Sequence, residues 1–135
     1  MKLNIAKISL ITLLTGSLAL TNTLGLEDNG DGTWNVNYSS SGDIAGFQFN
    51  VDGTTINSAS GGQAGDAGFM LSSSSTTVLG FSLSGTTISQ DEGVLVVIGL
   101  DGMPTGLSNI IVSDPSGVDM GFTYDSDDVY GCTDM

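Results

Sequence analysis

The sequence has no histidine, and its only two basic residues, Lys2 and Lys7, lie within the first seven positions. All fifteen Asp and Glu residues lie between Glu27 and Asp134. The absence of histidine excludes the Ser-His-Asp and Cys-His arrangements of nucleophilic catalysis. The absence of cations after Lys7 disfavours binding to nucleic acid, and binding to anionic membranes for the same reason, because phosphate contacts need positive side chains.

Cysteine is almost absent as well, since Cys132 stands alone near the end of the chain. No internal disulfide can form with a single cysteine. The lone cysteine and the turn-like residues 130–134 indicate that the sequence is a piece of something longer. We therefore interpret residues 125–135 as an acidic tail or as the start of a following Cys-containing repeat. The alternative is a natural C-terminus with a free thiol.

Residues 1–25 have the pattern of a secretory signal peptide. The segment 1–7 is short and basic, and the apolar run 8–19 is too short to span a bilayer. Two cleavage positions fit the small-residue rule, one after Ala19 and one after Gly25. The pattern predicts a secreted, extracellular or cell-surface protein with no membrane contact once the signal is removed.

Residues 26–124 are predicted to form one all-β domain. Short apolar runs of period two alternate with Gly, Asn, Asp and Ser clusters, and about eight to nine such strands are typical of an antiparallel β-sandwich. The almost wholly apolar run Val94 to Leu100 predicts a central strand buried on both faces. Asp52-Gly53 predicts a tight hairpin turn, and Ser60 to Asp66 a Gly-rich loop. No segment has a convincing amphipathic helical pattern.

Paired carboxylates are the remaining chemistry-bearing residues. Asp91-Glu92 and Asp127-Asp128 have the residue types that glycoside hydrolysis needs. Both pairs are predicted in loops, where a carboxylate without an apolar pocket keeps an ordinary pKa. We therefore predict that the protein is not an enzyme.

Calcium is the one cofactor that the acidic residues favour, although none is required. The first candidate set, Glu27, Asn29 and Asp31, has the spacing of the first ligands of an EF-hand loop, but no flanking helix and no Glu at the twelfth position. The second set consists of Asp125, Asp127 and Asp128. A hairpin turn explains the first set equally well, and a solvated acidic tail explains the second.

Aromatic residues are few, and two of them are candidate sugar ligands. Trp34 and Tyr38 lie on one predicted strand, where exposed rings would stack on a polysaccharide. The alternative is that both pack in the core, since they alternate with Val36 on one face of that strand.

Several strands taken together resemble cohesin-like domains. The segment 44–53, IAGFQFNVDG, resembles a strand of that family. Later strands of the family are similar, in order, to Thr77–Ser82, Gly85–Ile88, Gly93–Val96 and Leu107–Asp114. The resemblance covers roughly residues 34–124.

The resemblance implies a jelly-roll or immunoglobulin-like β-sandwich from the carbohydrate-binding-like superfamily. It also implies a non-catalytic extracellular interaction module of a bacterial protein, with a protein or polysaccharide partner. It does not carry over a dockerin-binding face residue by residue. Two alternatives stay open, namely a carbohydrate-binding module and a passive spacer of an adhesin or virion surface protein stiffened by calcium.

Overall fold

A computed structural model describes residues 21–126 of the chain. In that part the chain forms nine β-strands and one short α-helix. The elements in chain order are β1 (Thr23–Asp28), β2 (Thr33–Ser39), β3 (Gly46–Asp52), β4 (Ile56–Ser60), α1 (Gly62–Asp66), β5 (Met70–Ser73), β6 (Thr77–Phe81), β7 (Glu92–Leu100), β8 (Gly106–Ser113) and β9 (Thr123–Tyr124).

The strands form two sheets. One has the order β4-β7-β2-β1-β9 and the other the order β5-β6-β3-β8. All neighbouring strands run antiparallel except β1 and β9, which are parallel. The predicted all-β sandwich of eight to nine strands is thus confirmed, because the inner faces of both sheets bury their apolar side chains against each other.

Alternation along the strands produces the core. In β2, Trp34, Val36 and Tyr38 are buried while the residues between them are partly exposed. In β3, Phe47 and Phe49 point inward, and their ring centroids lie 6.1 Å apart. Successive strand residues point to opposite faces, so this period of two gives each sheet one buried face.

β7 is an interior strand of the five-stranded sheet, next to the edge strand β4, and its apolar sequence matches that position. β7 pairs with β2 on one side and with β4 on the other. Its residues Leu95, Val96 and Ile98 are fully buried. Helix α1 packs close to β7, since a Cβ placed on Gly62 would lie 2.5 Å from the Leu95 carbonyl oxygen. None of the helices in the described range 21–126 has the length and apolarity that crossing a membrane requires.

The sandwich begins earlier than the sequence pattern indicated. β1 starts at Thr23, which pairs with Ser39 in β2 and with Thr123 in β9. Leu24 is fully buried in the core. β1 thus begins inside the segment 1–25, and a cut after Gly25 would remove the part of β1 that pairs with β9. Most of the segment assigned to the signal lies outside the described residues.

Two local predictions are corrected by tertiary contacts. The segment predicted as a Gly-rich loop contains α1, in which the Gly65 N–H donates to the Gly61 carbonyl and Ala64 is buried. Asp52-Gly53 is a turn, but it leads from one sheet to the other, because β4 pairs with β7 and not with β3. The Thr105 N–H donates to the Asp52 carbonyl at 2.8 Å and holds this crossing in place.

Candidate functional site

The outer face of the four-stranded sheet carries large exposed apolar side chains. The exposed fractions are 38% for Leu79, 46% for Ile111 and 49% for Met70. Gln48 in β3 pairs with both Leu79 in β6 and Ile111 in β8, so these three residues form one row across the sheet. We call the outer surface formed by Met70, Leu79, Phe81 and Ile111 the apolar face.

A second row lies beside the first on the apolar face. Gly46 pairs with Phe81 in β6 and with Ser113 in β8, and Phe81 pairs with Met70 in β5. Because Gly46 has no side chain, a depression of about 170 Å³ opens between Leu79, Phe81 and Ile111. The face thus combines apolar walls with a shallow recess that a partner's side chain can enter.

The outer face of the other sheet is polar where β1 and β2 meet. Asn35 and Asn37 donate through their Nδ2 atoms to Glu27 Oε1 at 3.1 and 3.2 Å. Asn29 Nδ2 donates to Asn35 Oδ1 at 3.0 Å. These side chains satisfy one another and face water, so the two outer surfaces of the sandwich differ in chemical character.

The first predicted calcium set belongs to this polar region. Glu27 accepts the two asparagine hydrogen bonds, whereas Asp31 Oδ1 accepts from the Thr33 N–H at 3.0 Å and from Thr33 Oγ1 at 2.6 Å. Asn29 Nδ2 also donates to Thr33 Oγ1 at 3.1 Å. The three side chains therefore stabilise the β1–β2 hairpin, which is the alternative the sequence left open. Residues 21–126 contain no group of three His, Cys, Asp or Glu residues able to hold a metal ion.

The hydrogen bonds at Asp31 predict a pH effect. The Thr33 hydroxyl, and after it the Thr33 N–H, hold the pKa of Asp31 below its usual value. A carboxylate whose pKa is lowered by folding stabilises the fold above its unfolded pKa, about 3.9 for Asp, and the stabilisation is lost as the pH falls through the lowered pKa. We expect Thr33→Val to raise the pKa of Asp31 toward its usual value. A carboxyl NMR titration measures it, and an unchanged pKa in Thr33→Val would contradict the assignment.

The second predicted calcium set lies at the end of the described part of the chain. Asp127 and Asp128 lie outside the described residues. Asp125 lies just after β9, where its N–H donates to the Leu24 carbonyl at 2.8 Å. Calcium binding at this set stays a prediction.

The two candidate sugar ligands have little exposed surface. Trp34 is 6% exposed and Tyr38 is 5% exposed. Both side chains belong to the inner face of β2, next to the fully buried Val36. Their ring faces are covered, so they present no stacking surface to a polysaccharide. The core position is the alternative that their alternation with Val36 indicated.

The apolar face was not among the functional sites predicted from the sequence. The signal that could have found it is a pair of adjacent large apolar residues within a short strand, as in Val78-Leu79 and Ile111-Val112. Successive residues of a strand point to opposite faces, so one member of each pair must face outward. In the structure Val78 and Val112 are fully buried, and their neighbours are the exposed ones.

The comparisons with known proteins identify the fold. No protein-family model matches the chain, and no curated protein matches it. One similar solved structure is a chain of the CaDoc0917–CaCohA2 complex at pH 5.5, with a TM-score of 0.53, 15% identity, and coverage of 78% of this chain and 95% of that one. Another is a non-cellulosomal cohesin from the hyperthermophilic archaeon Archaeoglobus fulgidus, with a TM-score of 0.53, 12% identity, and coverage of 79% and 86%. The chain therefore has a cohesin-like fold.

Proposed function

We propose that this chain is a non-catalytic protein-binding module of a secreted or cell-surface protein, and that its apolar face contacts the partner. The observation that carries the proposal is the exposure of Met70, Leu79 and Ile111 on one sheet surface. Monomeric proteins rarely leave large contiguous apolar surfaces in water, and such surfaces are typical of interaction sites. The similarity in fold to cohesins supports a protein partner, because one of the similar structures is a chain of a CaDoc0917–CaCohA2 complex.

The polar residues between the apolar ones suit this role. Gln48 lies between Leu79 and Ile111 in the same row. Asn50, in the next row of β3, accepts a hydrogen bond from Thr77 Oγ1 at 2.8 Å, so its side chain is held in a fixed position. Interfaces combine a desolvated apolar centre with a polar rim that supplies specific hydrogen bonds. The apolar face has both parts.

The extracellular setting rests on the N-terminal sequence. The two lysines at the start precede an apolar run, as in secretory signals, and the remainder of the chain has fifteen acidic and no basic residues. A surface with one sign of charge keeps a protein soluble and repels copies of itself. The apolar face therefore suits a partner of a different kind better than a second copy of this chain.

The test is binding to purified dockerin domains, CaDoc0917 among them, measured by biolayer interferometry. We expect at least one to bind saturably and Leu79→Asp to weaken that binding about thirtyfold or more, which is the size of a hot-spot effect. Leu79 is exposed, so the melting temperature of the variant should change little.

The matched control is Leu83→Asp. Leu83 is 72% exposed and follows β6, outside the apolar face. The control introduces the same charge near the same strand, so its binding should equal that of the unmodified protein. Equal losses in both variants, or no binding to any dockerin in the panel, would contradict the proposal.

A further inference from the structure

A pocket separate from the apolar face lies where β2 ends and β7 begins. Its volume is about 410 Å³, and its lining includes the side chains of Tyr38, Asp66, Asp91 and Glu92. Asp66 ends α1, Glu92 begins β7 and Tyr38 lies near the end of β2, so three elements converge there. We call this cavity the acidic pocket.

The carboxylates of the acidic pocket have no cationic partner within the described residues, because no Lys, Arg or His occurs after Lys7. Asp66, Asp91 and Glu92 are all exposed at its mouth. Their charges add to a chain that is already strongly negative, and a cleft lined by one sign of charge attracts ligands of the opposite sign. Any cation that pairs with these carboxylates therefore comes from outside the described residues.

The second observation is the hydroxyl of Tyr38. The side chain is 5% exposed and lines the acidic pocket, yet its hydroxyl has no hydrogen-bond partner among residues 21–126. Burial, and after it the charge of the neighbouring Asp91, raises the pKa of Tyr38. Buried polar groups almost always have a partner, from protein, water or ligand. A phenol oxygen inside an acidic cavity offers one more acceptor to a cation.

The walls of the pocket also include apolar side chains. Ile88 is buried and Ala67 is half-buried, and both belong to the lining. A methylene chain can pack on such a surface while its charged end stays near the carboxylates. Within the described part of the chain no three acidic side chains are placed to hold a bare metal ion. The cavity therefore suits an organic cation with an aliphatic stem better than a divalent metal.

We propose that the acidic pocket binds an alkylammonium group of the kind that a partner's lysine side chain carries. The ammonium donates to the Tyr38 hydroxyl oxygen and to the carboxylates of Asp91 and Glu92, and its methylenes lie against the half-buried Ala67. A sugar is less suitable, because the ring of Tyr38 is buried and offers no stacking face. The inference does not depend on the apolar face or on the proposed dockerin-like partner.

The experiment is an NMR titration of the isotope-labelled full chain with Nα-acetyl-lysine methylamide. The neutral control ligand is Nα-acetyl-norleucine methylamide, which keeps a linear aliphatic side chain and lacks the ammonium. We expect saturable shifts of the Gln63, Asp91 and Glu92 amide signals with the lysine compound alone. Adding salt should weaken binding, since mobile ions screen exposed charges.

Two variants assign the binding to the pocket. Tyr38→Phe should weaken binding about tenfold, because it removes a hydrogen bond to a charged group. The same change should leave the melting temperature nearly unchanged, because the Tyr38 hydroxyl donates no hydrogen bond to residues 21–126 and lines a water-accessible pocket. Glu92→Gln should weaken binding, whereas Glu27→Gln removes the same charge at a residue that does not line the acidic pocket and should leave the affinity nearly unchanged.

Three results would overturn the inference. The first is equal shifts with the norleucine compound, which would mean that only the aliphatic stem is recognised. The second is an equal loss of affinity in Glu27→Gln and Glu92→Gln, which would indicate that the net negative charge of the protein attracts the ligand without a specific site. The third is saturable binding of CaCl2 at these amides without any response to the lysine compound. Leu79→Asp, which tests the apolar face, should leave the titration unchanged and so separates the two proposals.

Discussion

Replacing Trp34 with alanine is expected to lower the free energy of unfolding by about 3–5 kcal/mol, the usual cost of removing a large aromatic side chain from a core. Trp34 is 6% exposed and pairs with Asp28 in β1 and with Ile98 in β7. Its ring therefore fills the middle of the five-stranded sheet's inner face. A loss of this size removes much of the stability of an ordinary domain, about 5–15 kcal/mol in total.

Urea unfolding followed by circular dichroism measures this effect. Fluorescence is unsuitable, because Trp34 is the single tryptophan of the chain. Trp34→Phe is the matched control, since it keeps an aromatic ring in the cavity and should cost clearly less. A Trp34→Ala protein of unchanged stability that has lost binding to a polysaccharide would contradict the core position and revive the sugar-stacking interpretation.

Gly62→Ala is expected to be similarly disruptive, with a loss on the order of 4 kcal/mol. A Cβ at position 62 would lie 2.5 Å from the Leu95 carbonyl oxygen and 2.8 Å from the Val96 nitrogen, and both atoms belong to the backbone of β7. Gly62 also has a φ of +65°, which costs any other residue about 1–2 kcal/mol. Because the clashing atoms are backbone atoms of a strand paired on both sides, α1 must shift away from β7 to accept the Cβ.

Gly65→Ala is the matched control within the same helix. Nothing lies within 4 Å of a Cβ at this position. Alanine is a better helix former than glycine by about 0.8–1.0 kcal/mol, so the control should be neutral or stabilising. Thermal unfolding distinguishes the two, because 1 kcal/mol shifts the midpoint of a small domain by roughly 4–8 °C. Two variants with the same melting temperature would mean that α1 does not pack closely on β7.

The candidate site was less predictable than the fold, and the reason is the distance along the chain between its parts. The apolar face joins Met70, Leu79 and Ile111 from three strands. The acidic pocket joins Tyr38 to Asp91, which lie 53 positions apart in the numbering. Local spacing identified Glu27, Asn29 and Asp31 as a group, and all three lie in the β1–β2 hairpin. Their side chains form hydrogen bonds with Asn35, Asn37 and Thr33 of the same hairpin.

The class of fold and the acidic character of the surface follow from the amino-acid sequence alone. The alternation around Trp34 and Val36 and the apolar run Val94–Leu100 predicted an inner face and a central strand, because side-chain direction in a strand depends only on its period of two. Because both basic residues, Lys2 and Lys7, lie at the start of the sequence, the rest of the chain carries only acidic charges. These properties are local or compositional, so no contact needs to be known to derive them.

Which strands are neighbours depends on long-range contacts that no local pattern in the sequence contains. The Asp52-Gly53 turn looked like a hairpin, yet the chain crosses to the other sheet there, because β4 finds its partner in β7. β1, which begins at Thr23, lies between β2 and β9 in the sheet. β9 comes from the other end of the described chain, so this pairing cannot be derived from local sequence. Distant segments can form the same backbone hydrogen bonds in several alternative pairings. The pairing that forms is the one that buries the apolar side chains best, so it depends on the whole core.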